Sequence, residues 1–213
     1  MIVGVDFSIK STAVTVITNL GNYYFYTFAR KSVAKEDFFL TLQNSGVNVI
    51  SLPDEAPLPK TANLTDKERS SIVDGLMLTE SIVQTLSTHN FDENSHVAIE
   101  GFSFASTGNR LAQISGYQWL LRAKLMEALK INANQLSFYS PMTIKATAGK
   151  GNYKKEEMIA AFINSDADCK FARRLREAPA EFQNKKGQWL KPLDDLVDSY
   201  WIAKTLEKTL STK

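Results

Sequence analysis

Asp6, Glu100, Asp195 and Asp198 are acidic residues whose settings need explaining. Asp6 closes the apolar run Val3-Gly4-Val5-Asp6-Phe7, and Glu100 closes Val97-Ala98-Ile99-Glu100. An ionised carboxylate in such surroundings is costly unless it is paired or metal-bound. A third acidic group, Asp194-Asp195-Leu196-Val197-Asp198, opens an apolar run near the C-terminus. On a helix, Asp195 and Asp198 (i, i+3) share a face, and Asp194 and Asp198 (i, i+4) share one too. Each residue has a plainer use alone. Asp6 could start a turn, Glu100 could pair with a lysine, and aspartates at a helix start serve as caps and dipole partners. As a set they are hard oxygen ligands suited to Mg²⁺, with Mn²⁺ as a substitute. Two such ions about 4 Å apart can activate water and stabilise the leaving oxygen of a phosphodiester. In that arrangement Asp6 bridges both ions and Glu100 helps hold the one near the attacking water. Asp195 and Asp198 complete the shells.

These carboxylates need elements that converge. Residues 2–7 read as a buried strand, 13–18 as a second, and the aromatic-rich 22–28 as a third. Together they predict an antiparallel meander. Residues 30–66 contain Pro53, Pro57 and Pro59 and lack sustained periodicity, so they read as a long insertion. A helix follows over about 67–88, capped by Asp66 or Thr65, with Ile72, Leu76, Thr79, Ile82, Val83 and Leu86 on one stripe. Then come a strand at 96–100, a helix at 109–129 and a strand at 136–139. A helix at 154–163 lies after the Gly149-Lys150-Gly151 loop, and the last helix spans 193–210. Three early strands followed by strand–helix alternation predict an α/β fold, a mixed five-stranded sheet with helices on both faces. The first and fourth strands become parallel neighbours, which sets Asp6 beside Glu100.

Composition narrows the function classes. The chain has 213 residues, 44% hydrophobic, enough for one sizeable core, and one domain over 1–213 is the default. Cys169 is the only cysteine, so an intrachain disulfide and a four-cysteine zinc site are excluded. No apolar run is long enough to span a bilayer, and the chain opens on a strand rather than a leader, so a cytoplasmic location is expected. The net charge of +2 hides an asymmetry: residues 141–191 carry 11 Lys/Arg against 6 Asp/Glu. A basic segment beside dispersed carboxylates suits a protein that meets phosphate and binds cations, although a solvated basic face has the same composition.

The set resembles the RuvC-type Holliday junction resolvases of the RNase H-like superfamily. Ile2-Val3-Gly4-Val5-Asp6 is similar to the opening strand with its catalytic aspartate. Ala98-Ile99-Glu100-Gly101-Phe102 is similar to the strand carrying the catalytic glutamate. Tyr139-Ser140-Pro141, Ile144-Lys145, Gly149-Lys150-Gly151 and Lys154-Lys155 resemble the basic block, and Asp195-Leu196-Val197-Asp198 the closing helix start. The resemblance implies a crossover junction endodeoxyribonuclease with Asp6, Glu100, Asp195 and Asp198 as catalytic metal ligands. It implies phosphate contacts at Lys145 and Lys155, with Lys150 and Lys154 alongside, and a junction-wedging aromatic at Phe102 or Phe104. It implies branched DNA as substrate and a homodimer in which each subunit nicks one of two opposed strands. The apolar helix 109–129, with Leu111, Ile114, Tyr117, Trp119, Leu120, Leu121 and Leu125, is the candidate dimer interface, or else an internal core helix. The long 30–66 and 171–191 segments, and Ser199-Tyr200 where the family prefers small residues, depart from the pattern.

Other readings predict other things. A related nuclease would cut RNA–DNA hybrids or flaps. Gly4-Val5-Asp6-Phe7-Ser8 through Thr12 also resembles the first phosphate loop of the actin-like and sugar-kinase fold, but the second loop and duplicated domain are missing. A non-catalytic DNA-binding module would bind junctions without cutting. Cys169 lacks a histidine partner, and no nucleophile-elbow or Walker loop is present.

Overall fold

A computed structural model describes residues 1–101 and 109–212, with the backbone alone at Asn109 and Arg110. Strands β1 (Ile2–Asp6), β2 (Ser11–Ile17) and β3 (Tyr23–Arg30) form the antiparallel meander. Strand β5 (His96–Glu100) runs parallel to β1, and β6 (Leu136–Tyr139) runs parallel to β5.

The sheet has six strands rather than the expected five, in the order β4-β3-β2-β1-β5-β6. The extra strand, β4 (Val47–Leu52), comes from the 30–66 stretch, which also holds helix α1 (Glu36–Asn44). β4 pairs parallel to β3 at the sheet edge. Its signal is weak because Val49 and Ile50 break the alternation, as suits a half-buried edge strand. The proline-containing 53–63 part is irregular, as is the short turn at 31–35. Sequence periodicity also passed over α4 (Pro141–Ala148) and α6 (Lys170–Glu177), each eight residues long. Helix α2 (Leu64–Leu86) is capped by Asn63, not by Asp66 or Thr65. Asp66 is the reciprocal partner, accepting the Asn63 N–H at 3.1 Å while the Asn63 side chain accepts the Asp66 N–H at 3.0 Å.

Strand alternation divides the core between two faces. Val3, Val5, Val14, Val16, Val97 and Ile99 pack under α2 and α3 (Asn109–Leu129). Tyr117, Leu121 and Leu125 of α3 are spent on this core, while Trp119 is 64% exposed. The opposite face carries Ala13, Phe25 and Ala98 beneath α7 (Leu193–Ser211), with α4, α5 (Lys155–Ile163) and α6 around it. Gly4 lies on this face, where a Cβ would stand 2.2 Å from the Ser199 carbonyl oxygen and 2.4 Å from the Ala203 nitrogen. A glycine there lets the α7 backbone lie directly on β1. Thr15 and Ser199 hydroxyls share a 2.7 Å hydrogen bond across the same contact.

Arg30 pins the loop after Asp6. Its guanidinium, 2% exposed, binds both Asp74 oxygens at 2.5 and 2.6 Å. It also donates to the Ile9 carbonyl at 3.2 Å and the Pro53 carbonyl at 2.6 Å. One buried cation therefore joins the β1–β2 turn, the segment after β4 and α2. Its hydrogen bonds offset the desolvation of both charges.

Candidate active site

The register that aligns Val5 with Ile99 sets the next residues, Asp6 and Glu100, side by side at the ends of β1 and β5. Alternation turns both toward the face that α7 covers. Gly4 lets α7 approach, and its first turns bring Asp194, Asp195 and Asp198 to the same sheet end. The Glu100 carbonyl is held by the Gln118 amide of α3 at 3.0 Å.

Electrostatics show the convergence. Burial raises the Asp6 carboxyl well above the usual range, and the charges of Asp195, Asp198, Glu100 and Asp194 raise it further, in that order. Burial raises Glu100 too, opposed by the Lys145 ammonium. Asp198 is pushed up to about 7 by burial and by the charges of Glu100, Asp194 and Asp195. Carboxylates that raise one another in this way favour either protons or a cation.

The α7 aspartates differ in their partners. Burial disfavours ionised Asp194, but the hydrogen bond from Lys155 and the charges of Lys191 and Lys155 outweigh it, and its pKa falls. Asp195 is raised by burial and by Asp194, against the Lys191 charge and a hydrogen bond from Ser11. The Lys155 ammonium pairs with Asp194 Oδ2. Lys191 lies 3.0 Å from Asp195 Oδ1 and 3.4 Å from Asp194 Oδ2. The Ser11 hydroxyl donates to Asp195 Oδ2. Asp194 Oδ1 is buried with no hydrogen-bond partner among the described residues.

The four carboxylates expected from the sequence thus meet at one end of the sheet, and Lys145 faces Glu100. Lys150 and Lys154 are exposed. Lys155, whose side chain is 60% exposed, pairs its ammonium with Asp194 Oδ2. Phe102 and Phe104 lie outside the described residues. Part of the basic segment is structural: Arg176 donates to the carbonyls of Ile163, Ser165 and Ala167 at 2.7–2.9 Å, and Arg174 pairs with Glu181. Ser11 and Lys191 were not singled out from the sequence. The i, i+4 spacing of Lys191 and Asp195 was the available signal.

Hard carboxylate oxygens at Asp6, Glu100 and Asp198 fit a divalent cation by donor type and by their mutual repulsion. As the side chains stand, no group of three His, Cys, Asp or Glu among the described residues is arranged to hold one.

No protein-family model matches the chain, and no curated protein sequence matches it. Among solved structures, Thermus thermophilus RuvC superposes with a TM-score of 0.50 at 14% identity, covering 99% of this chain and 95% of that one. T. thermophilus RuvC in complex with a Holliday junction substrate superposes with a TM-score of 0.55 at 12% identity, covering 100% and 96%. The chain has the RuvC fold. Its mixed sheet with helices on both faces is the RNase H-like architecture that the sequence resemblance implied, with β4 added at the edge. The RuvC likeness covers 99–100% of this chain. No described helix is long and apolar enough to cross a membrane.

Proposed function

We propose that this protein is a divalent-cation-dependent endonuclease that resolves four-way or other branched DNA by paired nicks, acting as a homodimer. The observation that carries the reading is the meeting of Asp6, Glu100, Asp195 and Asp198 at one sheet end within a RuvC fold. The solved relative bound to a Holliday junction substrate supports the substrate class.

Asp6, Glu100 and Asp198 would hold Mg²⁺ or Mn²⁺. A bound cation would supply Lewis acidity toward water and the phosphoryl oxygen. The chain's own residues do the positioning. Ser11 fixes one oxygen of Asp195, Gln118 fixes the backbone of Glu100, and Lys145 adds positive charge beside Glu100. Lys150 and Lys154, both exposed, would contact phosphates and give salt-dependent binding without base readout.

The test is cleavage of a synthetic four-way junction beside flap, hybrid and nicked-duplex controls, with Mg²⁺ and with chelator. The parent should cut the junction at two opposed strands only with the cation. Asp6→Asn and Glu100→Gln should keep junction binding and lose at least about 100-fold in rate, the scale of several kcal/mol of transition-state stabilisation. Near-parent cutting by either variant removes its residue from the site. Preferential cutting of flaps or hybrids replaces the substrate, and binding without cutting makes the chain a non-catalytic module. Lys150→Ala with Lys154→Ala should weaken binding and reduce the salt slope by about one to two. An unchanged slope removes both from the phosphate contacts.

A further inference from the structure

We infer that Lys191 is a built-in cation at the Asp194–Asp195 corner, so that each chain holds one divalent ion, at Asp6, Glu100 and Asp198, rather than two. The inference rests on the cation-binding reading above and departs from the two-ion arrangement expected from the sequence.

Geometry separates the acidic residues into two groups. Asp195 has both oxygens engaged, Oδ1 by the Lys191 ammonium at 3.0 Å and Oδ2 by the Ser11 hydroxyl. Asp194 Oδ2 takes Lys155 and, at 3.4 Å, Lys191. Asp6, Glu100 and Asp198 make no ion pair within contact distance among the described residues, and Lys145 acts on Glu100 only through its charge. A cation is thus already seated at one corner, and the charge left over sits at the other.

Asp194 Oδ1 supplies an independent observation. It is buried, partnerless among the described residues, and belongs to a side chain that is 10% exposed. An acceptor of this kind is normally satisfied. A second ion would need it together with Asp195 Oδ1, the oxygen that Lys191 occupies at 3.0 Å.

Lys191 is well placed for such a role. It directly precedes Pro192 and α7, four residues before Asp195, so the helix start fixes its distance from the carboxylate. A lysine delivers one positive charge at a set point and needs no free ion. It would thereby make the protein's activity depend on the first power of cation concentration.

Counting bound Mn²⁺ per chain by the loss of free-ion paramagnetic resonance signal, without DNA, tests this apart from any activity. The parent should bind one ion per chain. Lys191→Met should bind two, and Lys191→Arg, which keeps the charge, should bind one. Adding Asp195→Asn to Lys191→Met should return the count to one, and this second variant guards against a merely loosened fold. Two ions on the parent, or one on Lys191→Met, would overturn the inference and leave the nuclease reading intact. No bound Mn²⁺ on the parent and none on Lys191→Met would overturn both.

Discussion

At the scale of single residues, the site is defined by buried carboxylates that disfavour one another's ionisation. Asp198 shows the consequence for pH. Its folded pKa of about 7 lies above the ordinary aspartate value, through burial and then through Glu100, Asp194 and Asp195. The folded state therefore keeps a proton that the unfolded chain has already released. The stability linked to that proton is full below about pH 4 and is lost as pH rises toward 7. Without divalent cations the protein should thus be less stable at pH 8 than at pH 5. Asp198→Asn should recover about 1–3 kcal/mol at pH 8 and little at pH 4, as read from denaturant midpoints in chelator. A variant no more stable than the parent at pH 8 would show that Asp198 carries no burden of charge. The sequence made Asp6 and Glu100 legible because a carboxylate ending an apolar run is costly. It did not separate Asp194 from Asp195, since both spacings reach Asp198. The separation depends on Lys155 and Ser11, 39 and 184 residues away from their partners.

At the scale of elements, the contact between β1 and α7 decides whether the carboxylates meet. Gly4 permits it, because any Cβ would meet the α7 backbone rather than a side chain that could rotate away. Gly4→Ala should cost about 3 kcal/mol and lower the melting temperature by roughly 6–12 °C. A melting temperature unchanged in the variant would mean that α7 does not rest on β1 in this way. Elements with strong periodicity were readable from the sequence: the meander, α2, α3 and α7 lie within a few residues of their expected bounds. Short or edge elements were not. β4 lacks clean alternation, and α4 and α6 each span about two turns, too few for a periodic signal. The buried Arg30–Asp74 pair was equally hidden, because nothing local marks an arginine at a strand end as a core residue.

At the scale of the whole molecule, the fold brings three chain segments, β1, β5 and the start of α7, to one end of a sheet, where their carboxylates repel one another; on the proposed reading a bound cation would relieve that repulsion. The basic balance of residues 141–191 does not all face a ligand, since Arg174, Arg176, Lys155 and Lys191 are engaged within the protein. That division could not be read from composition, which counts charges without their partners. The melting temperature reports on the relief of repulsion for the whole chain. Ligand at about 100 times its Kd adds roughly 2.7 kcal/mol, which for a protein of this size is roughly 5–10 °C. Titrating Mg²⁺ at pH 8 while following the melting temperature is therefore the most direct measurement. The parent should gain that increment, and Asp6→Asn and Asp198→Asn should each lose it. A parent that does not respond to Mg²⁺, or a response that survives in both variants, would contradict a shared cation at this sheet end.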